Sequence, residues 1–195
     1  MKDTQSNEYA EYLINHQKSW KGKLFQIPYQ THLRLLSTKK TLDIGCGAGR
    51  NLNSLSSESI GVDHNAIMIE SCKQRGLKAF TLEQWDEEKN KHTGTFDTIL
   101  FSHVAEHMNK TSFQNLLGSM LNLLKPTGRV LIICPQEAGY KSDQTHVEFM
   151  DFDKIKTVFK NLNIQTERQY SFPFIRKFGM FFPYNEFISI GRKMK

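Results

Sequence analysis

Short apolar bursts separated by stretches of helical periodicity run through most of this chain. Thr41–Ile44, Ser59–Val62, Lys78–Thr81, Phe96–Phe101 and Arg129–Cys134 have the length and the β-branched or aromatic content of strands. Between them, Asn51–Ser57, Asn65–Arg75, Leu82–Glu88 and Lys110–Leu124 carry the spacing of helices. Strands regularly separated by helices predict a parallel sheet covered on both faces. Right-handed crossovers then restrict its topology. After Pro135 the character changes: a helix around Phe152–Leu162 precedes Ile164–Phe172, an aromatic stretch, and Glu186–Gly191, and the last two strands read as an antiparallel pair. Two helix-like stretches, Glu8–Trp20 and Pro28–Leu36, lie ahead of the first strand, with Pro28 suited to a first helical turn. The whole predicts a three-layer, doubly wound, seven-stranded α/β sheet, mostly parallel, with an antiparallel C-terminal hairpin.

The run Thr41-Leu42-Asp43-Ile44-Gly45-Cys46-Gly47-Ala48-Gly49-Arg50 ends a buried strand and is expected to open a helix. Glycines there permit positive φ and let a ligand approach the backbone, and a helix N-terminus adds oriented N–H donors. Gly61-Val62-Asp63 closes the second strand with an acid suited to ribose hydroxyls. Such ligands lie outside the carboxyl ends of the strands. A dinucleotide fingerprint requires Gly-x-Gly-x-x-Gly, but the third glycine here comes one residue early and Arg50 takes its place. Asp43 beside the turn repels a pyrophosphate and favours a ligand with an ammonium and a sulfonium, which selects S-adenosylmethionine over NAD.

Leu-Asp-Ile-Gly-Cys-Gly-Ala-Gly, Gly-Val-Asp, Phe-Asp-Thr-Ile-Leu and Leu-Lys-Pro-Thr-Gly-Arg occur in this order. In that order they resemble class I S-adenosylmethionine-dependent methyltransferases, with a Rossmann-like fold. The likeness is firmest from Thr41 to about Cys134. It implies that Asp43, Gly45 and Gly47, within a turn that also holds Cys46 and Gly49, surround the methionine part, that Asp63 binds the ribose and that His64 flanks the adenine. Where many relatives have an acid after the third strand for the adenine amino group, this chain offers Glu83 and Gln84. One domain is expected: a helical lid over residues 1–38, a cofactor-binding core over 39–135, and acceptor-side loops with the final strands over 136–195.

The fourth strand runs into Ser102-His103-Val104-Ala105-Glu106-His107-Met108, so Ser102 and His103 are expected beside the cofactor. His103 to His107 also spells the inverted zincin motif, which needs both histidines on one helical face. The strand-like run before it argues against that, and the Glu106-His107 pair resembles one seen in small-molecule methyltransferases, with or without a divalent metal. No metal site is assigned from the sequence. His107 and His146 are rival general bases because an imidazole titrates near neutral pH, and Glu106 joins them as a catalytic candidate. His146 belongs to Asp143-Gln144-Thr145-His146-Val147-Glu148-Phe149, a loop after the fifth strand where acceptor sites are usually shaped. Glu148, Arg176 and Tyr184 are candidates for touching the acceptor, the last two from an aromatic stretch that equally suits packing or a dimer interface.

Composition changes this picture little. Of 195 residues, 38% are hydrophobic and 24% charged, as in ordinary globular proteins, and no window is apolar enough to span a bilayer. The formal charge of +6 is spread along the chain, which argues against a nucleic-acid partner. Three scattered cysteines fit neither a disulfide framework nor a metal motif. The polar N-terminus lacks the pattern of a secretory signal, so a cytoplasmic monomer or homodimer is expected, moving a methyl group to an oxygen or nitrogen of a small-molecule acceptor. The alternatives are an NAD-dependent oxidoreductase and a non-catalytic cofactor- or partner-binding protein on the same fold.

Overall fold

The computed structural model describes residues 20–37 and 39–194. It contains the expected seven-stranded mixed α/β sheet, divided between two compact units at residues 91 and 92. In the first unit, β1 (Thr41–Ile44), β2 (Ile60–Asp63) and β3 (Ala79–Thr81) lie parallel in the order β3-β2-β1. β1 and β2 are buried along their whole length, the polar Thr41, Asp43 and Asp63 included. Helix α1 is Trp20–Leu36, α2 is Ala66–Gln74 and α3 is Leu82–Glu88. The Asn65 side chain caps α2 by accepting from the amides of Ile67 and Met68, and Thr81 and Gln84 form a reciprocal capping box on α3.

The second unit orders its strands β4-β5-β7-β6, where β4 is Phe96–Ser102, β5 Leu124–Pro135, β6 Ile164–Phe172 and β7 Glu186–Lys193. β4 and β5 are parallel, whereas β7 runs antiparallel to both β5 and β6. Its helices are α4 (Lys110–Met120), α5 (Glu137–Ser142) and α6 (Phe152–Asn161). Ile99, Leu100 and Phe101 of β4, Val130 of β5, Phe113 and Leu117 of α4, and Val158 and Phe159 of α6 are fully buried and form its interior. Each such side chain contributes roughly 1.5–3 kcal/mol on burial.

Three local expectations are corrected. Asn51–Ser57 is a single 3-10 turn at Leu52–Ser54, closed by bonds from the amides of Ser54 and Leu55 to the carbonyls three residues earlier. The segment is crowded with asparagine and serine, whose short polar side chains compete with helical backbone bonds. The glycine turn therefore does not open an α-helix. Pro28 lies inside α1 and not in its first turn. β5 begins at Leu124 because Lys125–Gly128 bulges within the strand, the β4–β5 register jumping between the pairs Phe96–Leu124 and Thr98–Arg129. The expected helix Glu8–Trp20 lies outside the described residues apart from Trp20.

Candidate active site

In the first unit the glycine turn follows β1 and is fastened to β2. The amides of Gly45 and Cys46 both donate to the Val62 carbonyl. Asp63 Oδ2 accepts from the Gly47 amide at 2.8 Å, and Oδ1 accepts from the Asn65 amide at 2.8 Å. The acid thus holds the turn in shape with two of its lone pairs and retains others for a ligand's hydroxyls. Gly47 sits at φ 52°, which an L side chain rarely adopts, while a Cβ there would meet only the Met68 sulfur at 3.6 Å. Conformation, with open space beside it, is what requires glycine at this position. At Gly49, where φ is 73°, space adds to conformation, because a Cβ would lie 2.7 Å from Leu77 and 2.8 Å from Cys72. That glycine permits close packing of α2. Cys46 likewise turns inward, packing with Leu52, Ile69, Cys72 and Ala79.

Asp43 is fully buried, and among the described residues neither of its oxygens accepts a hydrogen bond. Burial pushes its pKa up to about 8; Asp63 and Cys72 push the same way, while Arg50 and Asn51 offset only part. A buried carboxyl without donors, next to a turn of left-handed glycines, suits a ligand that brings its own positive charge. His64 is partly exposed with Nδ1 3.4 Å from Asp63 Oδ1. Gln84 is occupied in the α3 cap and by Lys73, and Glu83 is exposed in the first turn of that helix.

In the second unit, Ser102 closes β4 and is buried, and His103 follows with φ 58° and its amide donating to the Ile133 carbonyl. A left-handed histidine bends the chain sharply off the strand end. His103 Nε2 lies 2.8 Å from Glu186 and Nδ1 3.3 Å from Glu106. Burial alone would lower its pKa, but the two carboxylates together raise it to about 9, so the ring is an imidazolium at neutral pH. Ala105–His107 is a 3-10 turn. His103 and His107 therefore share no helical face, and the inverted zincin reading falls.

Glu106 is fully buried with neither carboxylate oxygen accepting a hydrogen bond among the described residues; His103 is close enough for an ion pair but lies off the bonding direction. Its backbone carbonyl accepts from the amides of Val147 and Glu148, which draws the 143–149 loop onto the turn. The rings of His107 and His146 meet edge to face with centroids 4.9 Å apart, and Tyr140 stacks on His146 at 5.1 Å. Burial holds the His107 pKa below its ordinary value, partly opposed by Glu106, so this ring is neutral at pH 7.

The side chains of the remaining candidates have other partners. Glu148 accepts from the Lys110 amide at 2.6 Å and pairs with Lys154 at 2.7 Å, joining α4 to α6. Arg176 is paired with Glu137 through both terminal nitrogens and lies 4.8 Å over the Phe187 ring. Tyr184 is exposed beside Phe182. Glu186 and Thr145 lie in stretches that the sequence marks only as candidates, with no role of their own; in the structure Glu186 pairs with His103, and Thr145 sits between His107 and Asp143.

The α/β sheet, with a glycine turn after its first strand fastened to the acid that closes the next, has the layout of folds that take a nucleotide-like ligand at the strand ends. Residues 35–173 match the family described as the methyltransferase domain, and the chain belongs to that family. It is 32% identical over 121 residues to the ubiquinone biosynthesis O-methyltransferase of Rhodopseudomonas palustris, covering 56% of this chain and 45% of that protein. The chain spans about half the length of the curated relatives it matches. Among solved structures it resembles an S-adenosylmethionine-dependent methyltransferase from Archaeoglobus fulgidus, with TM-score 0.67, 18% identity, and 93% of this chain and 99% of that one covered. It also resembles the Burkholderia thailandensis 1,6-didemethyltoxoflavin-N1-methyltransferase, with TM-score 0.63, 16% identity, and 96% and 86% covered. The dinucleotide oxidoreductase reading is thereby set aside. Among the described residues no helix is long and apolar enough to cross a membrane.

Proposed function

We propose that this methyltransferase transfers a methyl group to an oxygen of a small-molecule acceptor. When bound, S-adenosylmethionine supplies a methyl carbon made electrophilic by its sulfonium. On this reading Asp43 faces the positive charge of the methionine part, the backbone at Gly45 and Gly47 gives close approach, and Asp63 takes the ribose hydroxyls with its remaining lone pairs. His64 flanks the adenine. Glu83 is a weaker candidate for the amino group, and Gln84, spent on its helix cap, weaker still. Positioning supplies most of the rate in a direct displacement of this kind.

The single observation that carries the acceptor side is the Glu106, His107 and His146 cluster. One carboxyl and two imidazoles converge after β4, with His107 held neutral and therefore able to take a hydroxyl proton or hold the oxygen it leaves behind. The O-methyltransferase name of the Rhodopseudomonas relative supports oxygen as the acceptor atom. Incubating the chain with S-adenosylmethionine and a panel of a catechol, a simple phenol and a primary amine, followed by mass spectrometry, tests this. O-methyl ethers are expected, and His107→Ala should slow their formation at least about tenfold while cofactor affinity is retained. Transfer confined to the amine would overturn the reading, and transfer to nothing would favour the non-catalytic alternative.

A further inference from the structure

The geometry points to a divalent transition-metal site formed by Glu106, His107 and His146, with its open positions taken by oxygen of the acceptor. One donor atom from each residue lies within 4.8 Å of the other two. Two bonds of about 2.1 Å to one ion span at most about 4.2 Å, so side-chain movements of roughly an ångström complete the set.

Two independent features go beyond proximity. The first is the orientation of the imidazoles. His146 Nδ1 lies 2.7 Å from the Tyr140 carbonyl, which only accepts, so Nδ1 carries the proton and the neutral ring keeps its lone pair on Nε2. His107 Nδ1 lies 3.2 Å from Thr145 Oγ1, whose own proton is committed to Asp143 Oδ1 at 2.7 Å. The hydroxyl is therefore the acceptor, and His107 Nε2 is again the lone-pair nitrogen. Anchoring of Nδ1–H by a carbonyl or a hydroxyl–carboxylate chain is the outer-shell arrangement that fixes metal-binding histidines. The second feature is Glu106, fully buried with no hydrogen bond to either oxygen among the described residues. Oε1 lies 3.3 Å from His103 Nδ1, and the buried Cys134 thiol is the other polar side chain acting on this carboxylate.

Two imidazoles and one carboxylate suit Zn²⁺, Mn²⁺, Fe²⁺ or Co²⁺, whereas Mg²⁺ and Ca²⁺ prefer all-oxygen sets. Three protein donors leave positions open, and a vicinal dihydroxy acceptor is the class that fills two of them, so that in the ion-bound chain the metal activates the hydroxyl and His107, its lone pair committed to the ion, no longer serves as the base. The acceptor clause rests on the oxygen reading of the preceding subsection; ion binding itself does not.

Titrating the chelator-stripped full chain with Co²⁺, followed by its visible d–d absorption and by Zn²⁺ competition, tests the site. One saturating equivalent displaced by Zn²⁺ is expected. Glu106→Gln and His146→Ala should each weaken it by more than about 100-fold, and Thr145→Val by roughly tenfold, with thermal unfolding still cooperative in all three. No saturable signal, or equal affinity in Glu106→Gln and His146→Ala, would overturn the metal site. One-to-one Co²⁺ binding without O-methylation would leave the ion site standing and remove its acceptor role along with the oxygen reading. Full O-methylation by stripped protein that binds no Co²⁺ would do the reverse.

Discussion

Asp43 and Glu106 are both fully buried carboxyls that accept no hydrogen bond among the described residues, one in each unit, yet their surroundings differ in kind. Asp43 sits beside a backbone turn, and Arg50, the cation acting on it, offsets too little of the burial to keep its pKa from rising to about 8. Glu106 sits among imidazoles, one of them an imidazolium shared with Glu186. On the readings proposed above, the first acid meets charge that a ligand brings, and the second, with the His103 imidazolium already beside it, shares its carboxylate with an incoming ion. Buried acids of this kind are candidates for ligand chemistry, and the neighbours decide which ligand.

The largest expected effect separates the two acids directly. Asp43→Asn removes the counter-charge for the cofactor and should weaken S-adenosylmethionine affinity about 10- to 100-fold, the usual loss for a hydrogen-bonded charge. Because the wild-type carboxyl is protonated below about 8 and must ionise to meet a cation, affinity should rise with pH up to about 8 and then level. Calorimetry between pH 6 and 9, in buffers of different ionisation heat, reads both the slope and the proton released. An unchanged slope in the asparagine variant would place the titrating group elsewhere.

How far each site was legible follows from the same contrast. The glycine turn is written in adjacent letters, because the need for positive φ at Gly47 and a carboxylate at the end of the next strand is local. β1 and β6 match their expected limits for a related reason, being bounded by turn residues on both sides. The bond from Asp63 to the Gly47 amide was not legible, nor was the absence of a helix after Arg50, since both depend on how the turn folds back on β2. On the other side, Glu106, His107 and His146 were individually visible as polar residues after strands. Their convergence was not, because it depends on the Glu106 carbonyl capturing the amides of Val147 and Glu148 some forty residues on. His103 shows the limit most clearly: its left-handed backbone and its bond to Glu186 have no signature in the neighbouring sequence.

A smaller effect concerns stability against pH. His103 and Asp43 have folded pKa values raised above their ordinary ones, to about 9 from 6.5 and to about 8 from 3.8. A raised pKa means that the folded chain binds more protons than the unfolded chain between the two values, so both contributions fall as pH rises. That of His103 is complete below 6.5 and gone above about 9, and that of Asp43 is complete below 3.8 and gone above about 8. His103→Gln should therefore flatten the loss of melting temperature between pH 6.5 and 9, and Asp43→Asn the part between pH 4 and 8. Identical profiles for both variants and the parent would mean that neither pairing is energetically real. His103 is a third exposed, so solvent screening reduces its share.

The smallest effect uses a third acid as the contrast to both. Glu148 is as close in sequence to His146 as any acceptor-binding residue would be, but its oxygens are engaged by the Lys110 amide at the start of α4 and by Lys154 of α6. Those partners hold its pKa below the ordinary carboxylate value, with Lys154 contributing most, so it is ionised at neutral pH and acts as a cap. Losing a helix cap costs about 1 kcal/mol. Glu148→Ala should therefore lower the melting temperature by a few degrees while leaving KM for the acceptor and Co²⁺ affinity close to the parent values. A several-fold rise in KM without a change in melting temperature would move Glu148 from scaffold to acceptor site. It would also show that a fully partnered carboxylate can still serve a ligand, removing the distinction on which the comparison of Asp43 with Glu106 depends.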